Sequence, residues 1–362
     1  MLNKLSPKRV TTHLLQYVDP LLEEPLVHAD NIKECSVEDG NIKIVLQFGF
    51  PCQDMRLQWQ ADLHAYLQEL AGVKDISITI EQKLRAHVVQ NNLAAIPSVK
   101  NIICVASGKG GVGKSTTAVN LALALKHMGA NVGLLDCDIY GPNQPQMLGA
   151  TERPEITPEK KFKPLVVHGL QTMSIGYLVD EQTAMVWRGP MISKALQQLM
   201  FDTVWENLDY LILDMPPGTG DISLTLAQKI PTAGSVLVTT PQTVATLDVQ
   251  KGLEMLRKVG IPILGVVENM SLHICGACGA REAIFGEGGG EKIASQFEVP
   301  FLGRLPLNKK ICEDVDRGLP TVARDPQDRL ALEYIQIARR VAMQLAKQKI
   351  KHGAGLPRVV VE

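Results

Sequence analysis

Two kinds of hydrophobic spacing alternate along most of the chain. Short, almost wholly apolar runs are typical of strands buried on both faces, and apolar residues recurring every three or four positions are typical of amphipathic helices. The predicted strands are residues 102–106, 131–136, 170–175, 210–214, 235–240, 263–268 and 301–305. The predicted helices are residues 117–128, 193–200, 222–229, 246–259, 289–297 and 328–350. This alternation predicts an α/β fold with a mostly parallel sheet covered by helices on both faces.

The first part of the chain follows the pattern of a small α+β unit. Two alternating runs, residues 32–37 and 42–48, flank Asp39-Gly40-Asn41 and predict a hairpin. Helical spacing covers residues 8–18 and 53–70, and a further strand is predicted within 73–84. The domain boundaries we predict are a small α+β domain at 1–90, a linker at 91–100, a main domain at 101–350 and a mobile tail at 351–362.

The composition excludes several classes of protein. The 362 residues are 45% hydrophobic and carry a net charge of −1, which argues against a general nucleic-acid-binding surface. The N-terminus lacks the apolar core and cleavage site of a secretory signal, and no run reaches the roughly 18 apolar residues of a membrane span. The seven cysteines are mostly scattered, which suits a reducing compartment better than a disulfide framework. We therefore expect a cytoplasmic protein without a membrane or nucleic-acid partner.

The glycine-rich loop between residues 102–106 and 117–128 carries the strongest chemical signal. It matches the P-loop pattern G-x-x-x-x-G-K-[ST] in full. Glycines allow backbone N–H groups to turn toward a polyphosphate, and the following helix presents its positive end to the same anion. Lys114 is expected to reach the β- and γ-phosphates of ATP, and the Ser115 hydroxyl to ligate Mg²⁺. The alternative is a glycine-rich turn that binds no nucleotide. The residues expected to surround the nucleotide are Gly108, Lys109, Gly110, Gly111, Val112, Gly113, Lys114, Ser115 and Thr116.

Two further apolar strands end in acidic residues. The string LLDCD ends at Asp138, and LDYLILD ends at Asp214 before a loop rich in proline and glycine. The carboxyl ends of parallel strands meet at one edge of a sheet, so these acids are expected beside the P-loop. An acid there can hold Mg²⁺ next to the phosphates, and Asp214 is the better candidate. Taken singly, each acid would be no more than a strand terminus.

A lysine directly after the first glycine of the P-loop narrows the class of P-loop protein to which this chain can belong. The general P-loop does not require Lys109, but the string KGGVGKST resembles the deviant Walker A motif of the MinD/ParA/nitrogenase iron protein group of ATPases. The resemblance implies that Lys109 reaches across a dimer to the partner's nucleotide. It also implies that Asp138 is the switch I aspartate, which positions or activates the attacking water.

The second chemical signal is a C-x-x-C pair at Cys275 and Cys278. A tetrahedral zinc or a four-iron cluster takes four thiolates, and the other cysteines are isolated. A symmetric dimer would supply four sulfurs from two copies of the motif. A zinc knuckle, a redox dithiol and plain turn cysteines remain open as alternatives.

The order of the motifs resembles the Mrp/ApbC family over about residues 98–346. The motifs are the deviant Walker A, DCDIYGPNQP, WRGPM at Trp187 to Met191, LDYLILDMPPGTGD, ENMSLHICGACG and LGRLPLNKKICEDVDRGLP. The resemblance implies an ATPase, slow in basal turnover, that carries a 4Fe–4S cluster between the subunits of a homodimer. Cys275 and Cys278 would ligate the cluster, and Asn269 would contact adenine. Apo iron–sulfur proteins and cluster assembly scaffolds would be the partners. Two departures are Asn143, where the family often has Ser, and Gly276, where it often has Pro.

The N-terminal unit resembles the accessory domain often fused ahead of Mrp ATPases and found alone in iron–sulfur assembly factors. Cys52, at a strand-to-helix turn, lies where that domain can carry a reactive cysteine. A buried small residue at a helix start explains the same position equally well.

Two other functions remain to be weighed against the cluster carrier. A MinD/ParA-like partner switch would need no cysteine pair, and the MinD-like type usually ends in a basic amphipathic helix, which the tail does not suggest. A zinc-bridged dimer with a scaffolding role would use the same two cysteines.

Overall fold

The computed structural model describes residues 5–90, 93–178, 189–275 and 278–350. Trp187, Arg188, Gly276 and the predicted tail at 351–362 lie outside these residues. Among the described strands, eight form one large sheet, three form a smaller mixed sheet, and two pairs form short hairpins. The predicted α/β class, with a small α+β unit ahead of it, is confirmed.

The N-terminal unit contains the predicted hairpin, followed by a helix and a further strand. Its elements are α1 (Pro7–Leu14), β1 (Val18–Asp19), β2 (Glu24–Pro25), β3 (Ile32–Glu38), β4 (Asn41–Phe48), α2 (Arg56–Gln68) and β5 (Asp75–Gln82). β3 and β4 pair antiparallel, and β5 pairs parallel with β4 after the α2 crossover. The hairpin turn uses positive φ at Asp39 (50°) and Gly40 (90°), a conformation that glycine adopts without a steric penalty.

The first helix ends earlier than predicted, at Leu14 rather than at residue 18. The cause is Asp19, a buried carboxylate that accepts hydrogen bonds from the Leu21 backbone N–H (2.9 Å) and from Trp59 Nε1 (2.7 Å). To reach these donors the chain is extended at β1, where it pairs with β2. A tertiary contact therefore overrides the local helical spacing.

The main sheet has the strand order β15-β12-β11-β6-β10-β7-β9-β8. Neighbouring strands are parallel except for β8 and β9, which are antiparallel. The elements are β6 (Val99–Ser107), α3 (Lys114–His127), β7 (Val132–Asp136), α4 (Gln144–Leu148), β8 (Leu165–Val167), β9 (Leu170–Ser174), α5 (Gly189–Phe201), β10 (Leu208–Asp214), α6 (Asp221–Lys229), β11 (Gly234–Thr239), α7 (Thr243–Lys258), β12 (Ile263–Glu268), β13 (His273–Ile274), β14 (Arg281–Glu282), α8 (Gly289–Gln296), β15 (Phe301–Arg304), α9 (Lys309–Asp316), α10 (Thr321–Arg324) and α11 (Arg329–Ala346).

The last helix joins the N-terminal unit to the main sheet. Arg339 of α11 forms an ion pair with Asp54, and its guanidinium lies 5.3 Å from the Trp59 ring centroid. α11 ends at Ala346 rather than at the predicted residue 350, because the chain beyond it turns to pair with the segment before β6. There the Val88 N–H donates to the Lys349 carbonyl (2.9 Å).

Among the described helices, none is long and apolar enough to cross a membrane.

Candidate functional site

The predicted P-loop connects the end of β6 to the start of α3, at the carboxyl edge of the sheet. Gly111 and Gly113 both have a φ of 80°, so each uses the left-handed region that favours glycine. A side chain at Gly108 would lie 2.3 Å from the Asp248 carbonyl carbon, whereas Gly110 has open space around it. The glycines therefore shape the loop and leave its outer surface clear for a ligand.

Lys114, the first residue of α3, is buried and faces inward. Its ammonium forms an ion pair with Asp214 at the end of β10 and lies 3.2 Å from the Ser115 hydroxyl. The predicted P-loop lysine, P-loop serine and strand-end acid therefore meet at one point.

Asp136 is a second buried carboxylate at this point, and it is not among the predicted site residues. It pairs in register with Asp214 across β7 and β10. Burial, reinforced by the Asp214 carboxylate, raises the pKa of Asp136. The donors to its oxygens are the Asp138 N–H (3.0 Å), the Gln144 N–H (3.2 Å) and the Ser174 hydroxyl (3.1 Å).

Gln144, the first residue of α4, links the three parts of the site and was also missed. Its Nε2 donates to Asp214 Oδ2 (2.9 Å) and to the Ser115 carbonyl (3.0 Å). Its Oε1 is buried and has no hydrogen-bond partner among the described residues. No short sequence motif predicts this role of Gln144, because the role depends on how the loop after β7 folds back over the P-loop.

Asp138 lies at the rim of the site rather than in its buried centre. Burial raises the pKa of its carboxyl, against the opposing charge of Lys114. Its Oδ1 accepts a hydrogen bond from the Gly141 N–H (3.3 Å), which holds the loop after β7 in a turn.

The P-loop is connected to the segments after β11 and β12 through Lys109 and Asn269. Lys109 Nζ lies 3.4 Å from Gln242 Oε1, just before α7. Asn269 Nδ2 donates to the Val112 carbonyl (2.8 Å), and it occupies the space that a side chain at Gly113 would need. Thr116 lies within α3.

Oxygen donors at the centre of the site fit Mg²⁺, which prefers carboxylate, hydroxyl and water ligands. They are the Ser115 hydroxyl, the Asp214 carboxylate and the buried Gln144 Oε1. A water bound to the metal would donate the hydrogen bond that Gln144 Oε1 does not receive from the described residues.

The two motif cysteines lie on a short hairpin that the sequence analysis did not predict. β13 and β14 pair antiparallel, and the Gly279 N–H donates to the Cys275 carbonyl (2.9 Å). Cys275 is half-buried and Cys278 is exposed. Among the described residues there is no group of three or more His, Cys, Asp or Glu side chains that could hold a metal ion. The described part of one chain therefore presents these two thiols without further ligands of that kind.

Cys52 is buried beneath the junction with α11. Burial raises the pKa of its thiol to about 11, against the charges of Arg56 and Arg339. This environment favours the structural explanation of Cys52 over the reactive one, because the thiolate is the nucleophile.

We expect Cys52 to resist alkylation in the folded protein. At pH 8 a pKa near 11 leaves a thiolate fraction about a hundredfold below that of an ordinary thiol, and burial also blocks access. Mass spectrometry after iodoacetamide treatment should show exposed Cys312 modified and Cys52 intact, with both modified in guanidinium chloride. Equal native labelling of the two would contradict this prediction.

The parallel sheet, the glycine loop and the buried lysine–acid pair define a P-loop NTPase. Residues 98–342 match the family model described as NUBPL iron-transfer P-loop NTPase, and residues 7–80 match the model of an iron–sulfur cluster assembly protein. The chain belongs to the NUBPL iron-transfer P-loop NTPase family, which confirms the resemblance inferred from its motifs.

Relatives and a solved structure agree with this assignment. An "Iron-sulfur cluster carrier protein" of Pseudomonas fragi is 55% identical over 278 residues, covering 76% of this chain and 97% of the relative. A protein of the same description from Escherichia coli K12 is 48% identical over 333 residues, covering 92% and 90%. A nucleotide-binding protein of Archaeoglobus fulgidus, solved with ADP, is 33% identical with a TM-score of 0.55, covering 62% of this chain and 88% of its own.

Proposed function

We propose that this protein binds and hydrolyses ATP, holds an iron–sulfur cluster between two subunits, and delivers the cluster to apo-proteins. One observation carries the proposal. A P-loop with its buried lysine–acid pair and a hairpin with two thiols lie at the same edge of one sheet, after β6 and after β12. The relatives described as cluster carriers support it.

The nucleotide would bind along the P-loop. The N–H groups from Gly108 to Thr116 would surround its phosphates, with Asn269 near the base. Lys114 would contact the β- and γ-phosphates, and Asp138 would orient the attacking water. Ser115 and Asp214 would hold Mg²⁺, which neutralises charge on the phosphate oxygens when it is bound.

The lysine–acid pair gives the site a built-in exchange. The phosphates of a bound nucleotide would compete with Asp214 for the Lys114 ammonium, so we expect nucleotide binding to separate the two. Once Lys114 has moved away, the Asp214 carboxylate would be free to bind Mg²⁺. Gln144 keeps the carboxylate in place through the exchange, because its Nε2 donates to the other oxygen.

The cluster would be the cargo of the protein. Two thiolates from each subunit, Cys275 and Cys278, give the four that a 4Fe–4S cluster takes. Burial raises the pKa of Cys104 to about 12 and that of Cys52 to about 11, so these thiols are poor ligands at neutral pH. The hairpin therefore offers better ligands than either of these two buried cysteines.

We also propose the domain division given by the sequence: the unit at 1–90 assists cluster assembly, a linker spans 91–100, the ATPase spans 101–350, and a tail at 351–362 is mobile. A cytoplasmic location would suit an oxygen-sensitive cargo. The cysteine pair and the family both weigh against a MinD/ParA-like switch without a cluster.

Anaerobic purification tests the proposal directly. The iron and sulfide content and the visible spectrum should show about four irons per dimer, and the cluster should pass to an apo-acceptor. Bound zinc without iron would instead support a scaffolding role.

Lys109→Ala should weaken ATP-dependent dimerisation. Lys109 Nζ lies 3.4 Å from Gln242 Oε1 of its own chain, which is a long and weak hydrogen bond. In the dimer, a phosphate of the nucleotide bound to the partner subunit would replace this contact. Sedimentation velocity with a slowly hydrolysed ATP analogue should show a dimer for the unaltered protein and a reduced shift for the variant. Lys251→Ala, which removes an exposed lysine from α7, is the matched control. Equal dimerisation of all three proteins would rule out a role for Lys109 across the interface.

A further inference from the structure

A cleft of 440 Å³ adjoins the first motif cysteine. The hairpin forms one wall with Cys275 and Arg281, and the first two turns of α11 form the other with Arg329 and Glu333. The cleft is therefore lined in part by a cysteine that the proposed function assigns to the cluster.

Two arginines on opposite walls leave the cleft positively charged. Arg281 pairs in register with Ile274, next to Cys275, and Arg329 begins α11. Both are exposed, and no carboxylate of the described residues forms a salt bridge with either. Glu333, the one acid among the described lining residues, does not offset both charges. Burial also raises the pKa of the Glu333 carboxyl, against the opposing charges of Arg329 and Arg340.

A third arginine of the cleft is paired within the protein. Arg304 forms ion pairs with Glu268 and Glu291, and its guanidinium lies 5.2 Å from the Phe301 ring centroid. Its charge is therefore compensated within the protein. The charge available to a ligand is that of Arg281 and Arg329.

The remaining lining is largely apolar. Leu272, Ile274 and Leu330 line the cleft together with Pro306. An apolar floor between arginines is typical of surfaces that bind another protein, because arginine supplies both packing area and bidentate contacts to carboxylates. The chemistry selects a partner segment that carries both acidic and apolar side chains.

We propose that this cleft docks an acidic, partly apolar segment of the apo-protein that receives the cluster. The inference rests on the proposed function, because transfer requires the recipient's thiols to reach iron held by Cys275. Each incoming thiol replaces one carrier thiolate on iron and passes its proton to the sulfur released, with no change in oxidation state. The recipient must therefore contact this face of the protein, where Arg281 and Arg329 favour carboxylates.

The test uses the full-length protein and an acidic four-iron apo-ferredoxin as the probe. The variant Arg281→Gln/Arg329→Gln removes both charges. The control Lys161→Gln/Lys163→Gln removes two exposed charges just before β8, at the opposite edge of the sheet. The second-order rate of cluster transfer is measured over a range of ionic strength, with iron content and dimerisation measured for each protein.

We expect the arginine variant to load iron and dimerise normally but to transfer about tenfold more slowly at low salt, with a flatter dependence on ionic strength. The control should match the unaltered protein. Unchanged transfer by the arginine variant would overturn the proposal. Loss of iron would assign the arginines to the cluster itself, and loss of dimerisation would assign the cleft to a second copy of this chain; either result also overturns it.

A second measurement separates this inference from the proposed function. Labelled apo-ferredoxin is titrated into cluster-free protein and followed by fluorescence anisotropy. If the unaltered protein holds no cluster, the carrier function fails, yet binding that weakens about tenfold in the arginine variant still supports the docking site. Equal affinity for the variant and the unaltered protein overturns the docking site whether or not a cluster is present.

Discussion

Replacing Lys114 by alanine should reduce ATP hydrolysis by about 10²-fold or more, the usual cost of removing one electrostatic contact to the transferred group. In the structure the Lys114 ammonium lies between Ser115 and Asp214, the residues proposed to hold Mg²⁺. Without it, the γ-phosphate loses its nearest buried cation. Phosphate release under saturating ATP and Mg²⁺ measures the effect.

The control must separate chemistry from folding. Lys114→Ala leaves Asp214 buried without its cation, which typically costs about 3–5 kcal/mol of stability. Lys114→Ala/Asp214→Asn removes both charges, so its thermal unfolding should return toward that of the unaltered protein while hydrolysis stays low. Lys126→Ala, an exposed position on the last turn of α3, should change neither property. Hydrolysis at the unaltered rate in Lys114→Ala would exclude the P-loop as the catalytic site.

The local pattern of apolar and polar residues predicts much of the fold, because the main strands are buried on both faces. β10 and β11 have every residue buried, so each appears in the sequence as a mainly apolar run with few polar residues. The P-loop was equally visible, since its glycines are required by backbone geometry within a few residues. By contrast, β8 has only three residues, none of them fully buried, and no pattern distinguishes it from a loop.

The residues missed by the sequence analysis depend on contacts between distant segments. Asp136 lies beside Asp214 only because β7 and β10 are neighbours, although α4, β8, β9 and α5 lie between them in the chain. Gln144 reaches the Asp214 carboxylate only after the loop folds back. The early ends of α1 and α11 also depend on contacts between distant segments. α1 ends early because the buried Asp19 accepts a hydrogen bond from Trp59, and α11 ends early because the chain after it pairs with the segment before β6.

Replacing both motif cysteines by serine should remove the cluster while leaving nucleotide hydrolysis in place. Cys275 and Cys278 lie on the β13–β14 hairpin, apart from the Lys114–Asp214 pair, so the two functions should separate. Serine keeps the size of each side chain but is a poor ligand for iron. Iron after anaerobic reconstitution should fall from about four per dimer to near zero, and transfer to an apo-acceptor should disappear.

The matched control is a serine at a cysteine outside the hairpin. Cys312→Ser changes an exposed thiol on α9, and Cys35→Ser changes a half-buried one on β3. Both should keep their iron, because the bridging site takes its four thiolates from two hairpins. Cys104 and Cys137 are fully buried, and burial raises the pKa of both thiols, so neither offers a substitute ligand at neutral pH. Full iron in the Cys275→Ser/Cys278→Ser protein would therefore refute the bridging model, because other ligands would then have to hold the iron.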